Sequence, residues 1–389
     1  MKSRQFLLGA GAGIGAGYAA IRILQAWAAL RAPAPPASSD SARYGKMRRA
    51  LAVAGAARNV IGSAAFAYGP LARDVERALR CFPQWARPGA FFGVAAFAGA
   101  LAELPGDYVE DHLLERAYGL TEQLPRAWAS EALKSALIGA AVSSVIGSLA
   151  GAALRRFPRT WPAIASLGLL PLLMLANVVV PLVILPMFNA FEPLTGPLEE
   201  RLRALATKLG VGHAAILRMD MSRQTKKANA FVTGIGNTHR IVLGDTLIDR
   251  FEPAEAAFVV AHEIGHYVAK DTWRTIAVAE ASAALLLFTA SRCVKSEDGP
   301  ESLRLLRAYA VLVAGMTLLQ PAINAFSRSR EWAADRFARA ATNDAQAGAA
   351  AFRRLRDQNL AEEDVPAWYE FFFGSHPSLR KRIEALEHS

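Results

Sequence analysis

Seven apolar runs, each long enough to cross a bilayer, constrain this chain more than any other feature: Phe6–Leu30, Leu51–Tyr68, Pro88–Leu104, Ala132–Leu154, Trp161–Phe188, Thr275–Val294 and Leu303–Phe326. A hydrocarbon core about 30 Å thick is crossed by about 20 helical residues, and only a helix or a closed barrel satisfies the backbone there. The chain is therefore expected to be mainly α, a polytopic α-helical membrane protein of about seven spans. The run Leu51–Tyr68 carries Arg58 and Asn59, so its charge requires a buried or interfacial partner. In the first run, Lys2 and Arg4 precede the apolar residues and Arg22 interrupts them. It reads as a retained helix, with a signal peptide as the rival. Its Gly9, Gly13 and Gly17 have the spacing that lets membrane helices pack closely.

The formal charge of +10 is spread over loops and the soluble part, without an aromatic-interleaved basic stripe. That distribution argues against nucleic acid as a partner and for anionic headgroups of a lipid bilayer. Two cysteines far apart, Cys81 and Cys293, indicate neither a disulfide framework nor a thiolate metal site.

Residues 31–42 form a Pro/Ser-rich loop, and 105–131 a charged connection between spans. From Pro193 the pattern becomes that of a soluble domain. Leu194–Leu209 reads as an amphipathic helix with Leu198, Leu202, Leu205 and Leu209 on one face. Short strands are expected at Ala215–Met221, Asn229–Thr233 and Arg240–Leu243, with a hairpin turn at Gly234-Ile235-Gly236-Asn237. No internal repeat is evident.

The chemistry is concentrated in His262-Glu263-Ile264-Gly265-His266, inside a helix expected over Glu255–Lys270. Histidines at i and i+4 share one helical face and can reach one metal ion, while Glu263 between them is placed to take a proton from water. A catalytic zinc takes three protein ligands and leaves one position open. Alone, Glu331 would read as a surface carboxylate paired with Arg328 or Arg330; beside this motif it reads as the third ligand. Glu331 and Asp335 stand at i and i+4 on a helix continuing out of the last span, so one can ligate while the other orients a ligand. Two antiparallel spans joined by the short Lys295–Glu301 turn would set the two helices side by side.

These stretches resemble the M48 family of integral-membrane zinc metallopeptidases, in particular its CAAX prenyl protease (Ste24-like) branch. The match comprises His262–His266 with Asp271, Asn324/Ser327-Arg328/Glu331/Asp335, Asn229-Ala230-Phe231, Arg240–Leu247 and His376-Pro377-Ser378. Towards the N-terminus it adds Glu115–Leu120, Trp128 and Lys134. The resemblance implies a small α+β zinc metallopeptidase domain of the gluzincin type, with one Zn2+ per chain on His262, His266 and Glu331. Asp271 and Asp335 would support the histidines. Asn229, Ala230 and Phe231 would hold an extended peptide by backbone pairing. His376 would stabilise the oxyanion. His112, His213, His239 and His388 have no nameable partner and read as surface residues.

The organisation expected is a membrane region over 1–190 with about five spans, a metallopeptidase part over 191–274, two spans over 275–326, and over 327–389 the C-terminal part with the third ligand. The resemblance implies an endopeptidase acting near the C-terminus of prenylated peptides. Alternatives are a quality-control protease indifferent to prenylation and a non-enzymatic membrane scaffold, which an intact Glu263 opposes. The Ala/Arg-rich composition suggests a bacterial inner membrane, and the resemblance places the zinc domain on the cytoplasmic face. Arg43, Lys46, Arg48 and Arg49 agree with that orientation, whereas Lys2, Arg4, Arg155, Arg156 and Arg159 run against the positive-inside bias.

Overall fold

The computed structural model describes residues 40–234, 239–295 and 299–388. The apolar run at 6–30, its glycine series and most of the 31–42 loop lie outside the described residues, as do parts of the turns at 234–237 and 295–301.

Among the described residues six helices are long and apolar enough to span: α1 (Asp40–Tyr68), α3 (Arg87–Ala117), α4 (Pro125–Arg156), α5 (Trp161–Met187), α9 (Asp271–Cys293) and α10 (Glu301–Thr342). They coincide with the last six expected runs. Their outward faces keep large apolar side chains such as Leu167 and Leu318 exposed, as a surface that meets lipid should. The charge in α1 finds its partner within the bundle, Arg58 Nε lying 3.3 Å from Glu103 of α3. Close packing of α3 on α4 depends on small residues: a Cβ on Gly147 would stand 2.8 Å from the Pro88 carbonyl oxygen. The charged stretch 105–131 differs from expectation. Helix α3 absorbs its first part through a π-turn at Tyr108–Leu113, and α4 begins at Pro125, leaving a connection of only 118–124. The short helix α2 (Pro70–Ala78) follows α1.

The soluble part begins with β1 (Phe191–Pro193), followed by α6 (Pro197–Lys208), β2 (Ala215–Met219), β3 (Ala230–Thr233) and β4 (Arg240–Gly244). Next come α7 (Asp245–Ile248) and α8 (Pro253–Val268), the helix of the histidine motif. The sheet order is β1-β2-β4-β3, with β2 and β4 parallel and the other pairs antiparallel. Strand β1 was not expected from the sequence: three residues carry no period, and only pairing with β2 makes them a strand. Leu202 of α6 is fully buried with Ile241, Leu243 and the inner face of α8 in one core, and Leu198, Leu205 and Leu209 pack against it. Helices α11 (Ala345–Asn359) and α13 (Leu379–Glu387) close the opposite side of α8, around Phe258, Phe352, Ile383 and Leu386, while α12 (Ala367–Phe373) packs on α10.

Two of the four unassigned histidines are not at the surface. His112 is fully buried on the π-turn, stacked on Tyr108 at 5.1 Å and near Trp128 at 6.1 Å. His239 is buried against Tyr267, with ring centroids 4.3 Å apart. His239 is covered by a residue distant in sequence, so no local pattern announces its burial, whereas His112 stacks on Tyr108 one helical turn before it. His213 and His388 are exposed.

Candidate metal centre

Helix α8 starts with Pro253 at its first turn, and the Glu252 amide donates to the Glu255 carboxylate at 2.9 Å. Its buried face runs through Phe258, Val260, Ala261, His262, Ile264 and Gly265. Gly265 is where α10 comes closest: a Cβ there would lie 3.0 Å from the Phe337 ring. Because α10 runs unbroken from Glu301 to Thr342, it carries the membrane span directly into this contact and delivers Glu331 and Asp335 beside the histidines.

Each imidazole is oriented by a carboxylate on its Nδ1 side. His262 Nδ1 lies 2.9 Å from Asp335 Oδ1, and His266 Nδ1 lies 2.9 Å from Asp271 Oδ2. Assigning both Nδ1 atoms as donors, as the network requires, leaves both Nε2 lone pairs turned towards each other at 3.2 Å. Glu331 faces the same point, Oε2 at 3.4 Å from His262 Nε2 and Oε1 at 3.3 Å from His266 Nε2. Glu331 is buried, and its Oε2 has no hydrogen-bond donor among the described residues. Three electron-pair donors thus converge on one point, with Arg382 Nη2 3.5 Å from Glu331 Oε2 behind them. Tetrahedral coordination with bonds of about 2.0–2.1 Å puts donor atoms about 3.3 Å apart, the spacing seen here. The donor set fits a metal ion.

The electrostatics agree. Burial alone would lower the His262 pKa, but the Asp335 and Glu331 carboxylates outweigh it and lift it to about 9. His266 is raised as well, against its own burial, by Glu331 and Asp271. The site is an acidic shell that draws positive charge onto its imidazoles. Glu263 is half-buried, and burial raises its carboxyl pKa above the usual carboxylate value.

A second tier of guanidinium groups holds the carboxylates. Arg382 of α13 binds Asp335 through two nitrogens at 2.8 and 2.6 Å, while its Cζ lies 4.1 Å from the centre of the Phe352 ring. Arg330 Nε lies 2.6 Å from Asp271. Arg330 therefore serves Asp271 and leaves Glu331 alone, and Arg328 is spent on the carbonyls of Glu370 and Gly374. Arg382 escaped the sequence reading, because nothing local ties it to Asp335, 47 positions away. His376 reaches the site, its exposed side chain placing Nε2 3.3 Å from Glu331 Oε1.

Strand β3, with Ala230 and Phe231, is an edge of the sheet and packs on α8; Asn229 immediately precedes it, its carbonyl accepting from the Gly244 amide at 2.9 Å. The approach to β3 is clamped by another residue the sequence reading passed over. Lys227 Nζ lies 2.7 Å from Glu115 and 2.8 Å from Tyr44 Oη, linking the strand to the membrane helices.

With this geometry in view, comparisons with known proteins are specific. Residues 193–389 match the family model described as peptidase family M48, and residues 37–190 match that described as CAAX prenyl protease N-terminal, five membrane helices. The chain is 28% identical to the uncharacterized metalloprotease YhfN of Bacillus subtilis, over 76% of this chain and 72% of that protein. It is 27% identical to CAAX prenyl protease 1 of Saccharomyces cerevisiae, over 77% and 71%. The crystal structure of S. mikatae Ste24p superposes with a TM-score of 0.80 at 21% identity, covering 96% of this chain and 97% of that one, which shows a common fold.

Proposed function

This chain belongs to peptidase family M48, and on that premise we propose that it is a zinc endopeptidase working at the membrane boundary, on peptides that include prenylated C-terminal segments. The observation that carries the reading is the convergence of His262 Nε2, His266 Nε2 and the Glu331 carboxylate within 3.2–3.4 Å of one another, with both Nδ1 atoms already committed. Nitrogen and carboxylate donors in that arrangement suit zinc, one ion per chain. Bound there, zinc would supply Lewis acidity and lower the pKa of a water it holds to about 7.

The residues divide the remaining work. Asp335 and Asp271 hold the two imidazoles in the ligating tautomer. Glu263 takes a proton from the attacking water and passes it to the leaving amine. His376, beside Glu331, donates to the oxyanion as it develops. The edge formed by Asn229, Ala230 and Phe231 pairs with the extended peptide through its backbone.

The name of the yeast relative supports prenylated peptides as the substrate class. On this reading 1–190 is the membrane region, 191–274 and 327–389 form the peptidase, and 275–326 supplies two connecting spans. In a bacterial inner membrane the metal centre would face the cytoplasm. Arg48 and Arg49, which meet Glu115 and Glu362 on the metal side, support that side as the positive one.

The test is cleavage, read by mass spectrometry, of a farnesylated CAAX peptide and its unprenylated twin by the zinc-loaded protein in detergent. Glu263→Gln should retain zinc and lose turnover; near wild-type cleavage by that variant would remove Glu263 from the mechanism. Cleavage of the lipidated peptide alone supports prenyl specificity, whereas cleavage of both points to a general membrane-surface protease.

A further inference from the structure

At the end of the bundle away from the metal centre lies a partly open cavity of about 390 Å3, lined by α3, α4, α5, α9 and α10. Ala153, Trp161, Gly168, Leu172, Leu287 and Tyr309 are among its walls, and no charged side chain among the described residues lines it. Along α5 it extends from Trp161 to Leu172, a difference of 172 − 161 = 11 residues or about 17 Å of helix, so it is long and narrow like an acyl chain.

The mouth is basic. Ala153 and Trp161 both line the cavity, and the short turn between their helices carries Arg156 and Arg159, both exposed. Arg155 is already engaged with Glu301 and the Trp85 carbonyl, and Arg292 closes α9 at the same end. These arginines stand on the face opposite the metal centre, where the charge bias that orients membrane helices supplies no reason for them. A ligand does.

We propose that this cavity and its rim bind one anionic phospholipid, an acyl chain filling the cavity and the phosphate lying between Arg156 and Arg159. Guanidinium forks suit a phosphodiester, and an apolar cavity that starts at Ala153 and Trp161, on either side of their turn, selects a lipid over a free anion. A prenyl group on a peptide being cleaved would not reach. Leu312, in the cavity wall, is 331 − 312 = 19 residues from Glu331 on the same helix, about 28 Å, beyond an extended prenyl chain. The inference rests on the membrane fold and is independent of the peptidase reading.

The test uses the full chain, stripped of lipid in neutral detergent, then offered phosphatidylglycerol or phosphatidylcholine with identical acyl chains. Native mass spectrometry counts retained lipid, and thermal unfolding reads stabilisation. Phosphatidylglycerol should be retained preferentially and raise the melting temperature, while inorganic phosphate leaves it unchanged. Arg156→Gln with Arg159→Gln should weaken phosphatidylglycerol retention about 30-fold, down to the level of phosphatidylcholine. Gly168→Leu should lower retention of both lipids: a Cβ there meets nothing within 4 Å, so the new side chain enters open space without a clash. Equal retention of the two lipids, or retention unchanged in both variants, overturns the proposal. So does stabilisation by inorganic phosphate matching that by phosphatidylglycerol, or displacement of the lipid by a farnesylated peptide.

Discussion

His262 and His266 are held by the same relay, imidazole to carboxylate to guanidinium, but the two relays stand in different media. The His262, Asp335 and Arg382 side chains are 9%, 6% and 8% exposed, enclosed by the Phe258–Phe352–Ile383 core. The His266, Asp271 and Arg330 side chains, from the last turn of α8, the start of α9 and α10, are 24%, 9% and 19% exposed. Charge pairs in a dry environment are costly to break, because removing one partner strands the other without water, whereas solvent forgives the loss in a wetter one. The inner relay should therefore govern both folding and metal retention, and the outer one mainly metal retention.

The comparison is broken most directly at the guanidinium groups. Arg382→Ala should destabilise the protein by about 3–5 kcal/mol, since Asp335 is left buried without its charge partner. Arg330→Ala should cost no more than about 1 kcal/mol, because Asp271 keeps Arg274 at 3.9 Å and has more water nearby. Chemical denaturation in detergent measures both, and equal losses would show that the two media do not differ energetically.

The carboxylates sharpen it. Asp335→Asn should lower zinc affinity about 100-fold and Asp271→Asn about 10-fold, the two ends of the range for groups that orient a ligand. Competition with a chelator reads both, and the reverse order would make the outer relay the dominant one. The smallest effect is expected at the helix contact beneath the site. Gly265→Ala puts a methyl 3.0 Å from the Phe337 ring and should cost about 1 kcal/mol, with zinc still bound, by thermal unfolding and metal analysis.

Much of this molecule was legible because its signals are periodic. A four-residue step puts His262 and His266 on one face of any helix, and twenty apolar residues demand a span wherever they occur. Glu331 and Asp335 follow by the same step once α10 is read as running on past the bilayer. Arg58 announced that it needed a partner but not that Glu103 would be the one. The β1 strand and the burial of His239 left no trace in the local pattern, because each is created by residues elsewhere in the chain.

The sequence by itself therefore determined the spans, the histidine pair, its glutamate and the candidates for the third donor, all properties of a single helix and its period. Only the tertiary structure decided which carboxylate serves which imidazole, that Arg382 rather than a nearer cation holds Asp335, and that Lys227 ties the edge strand to Glu115 and Tyr44. Those are choices among partners far apart in the chain, made by packing, and packing is settled only when the helices have come together.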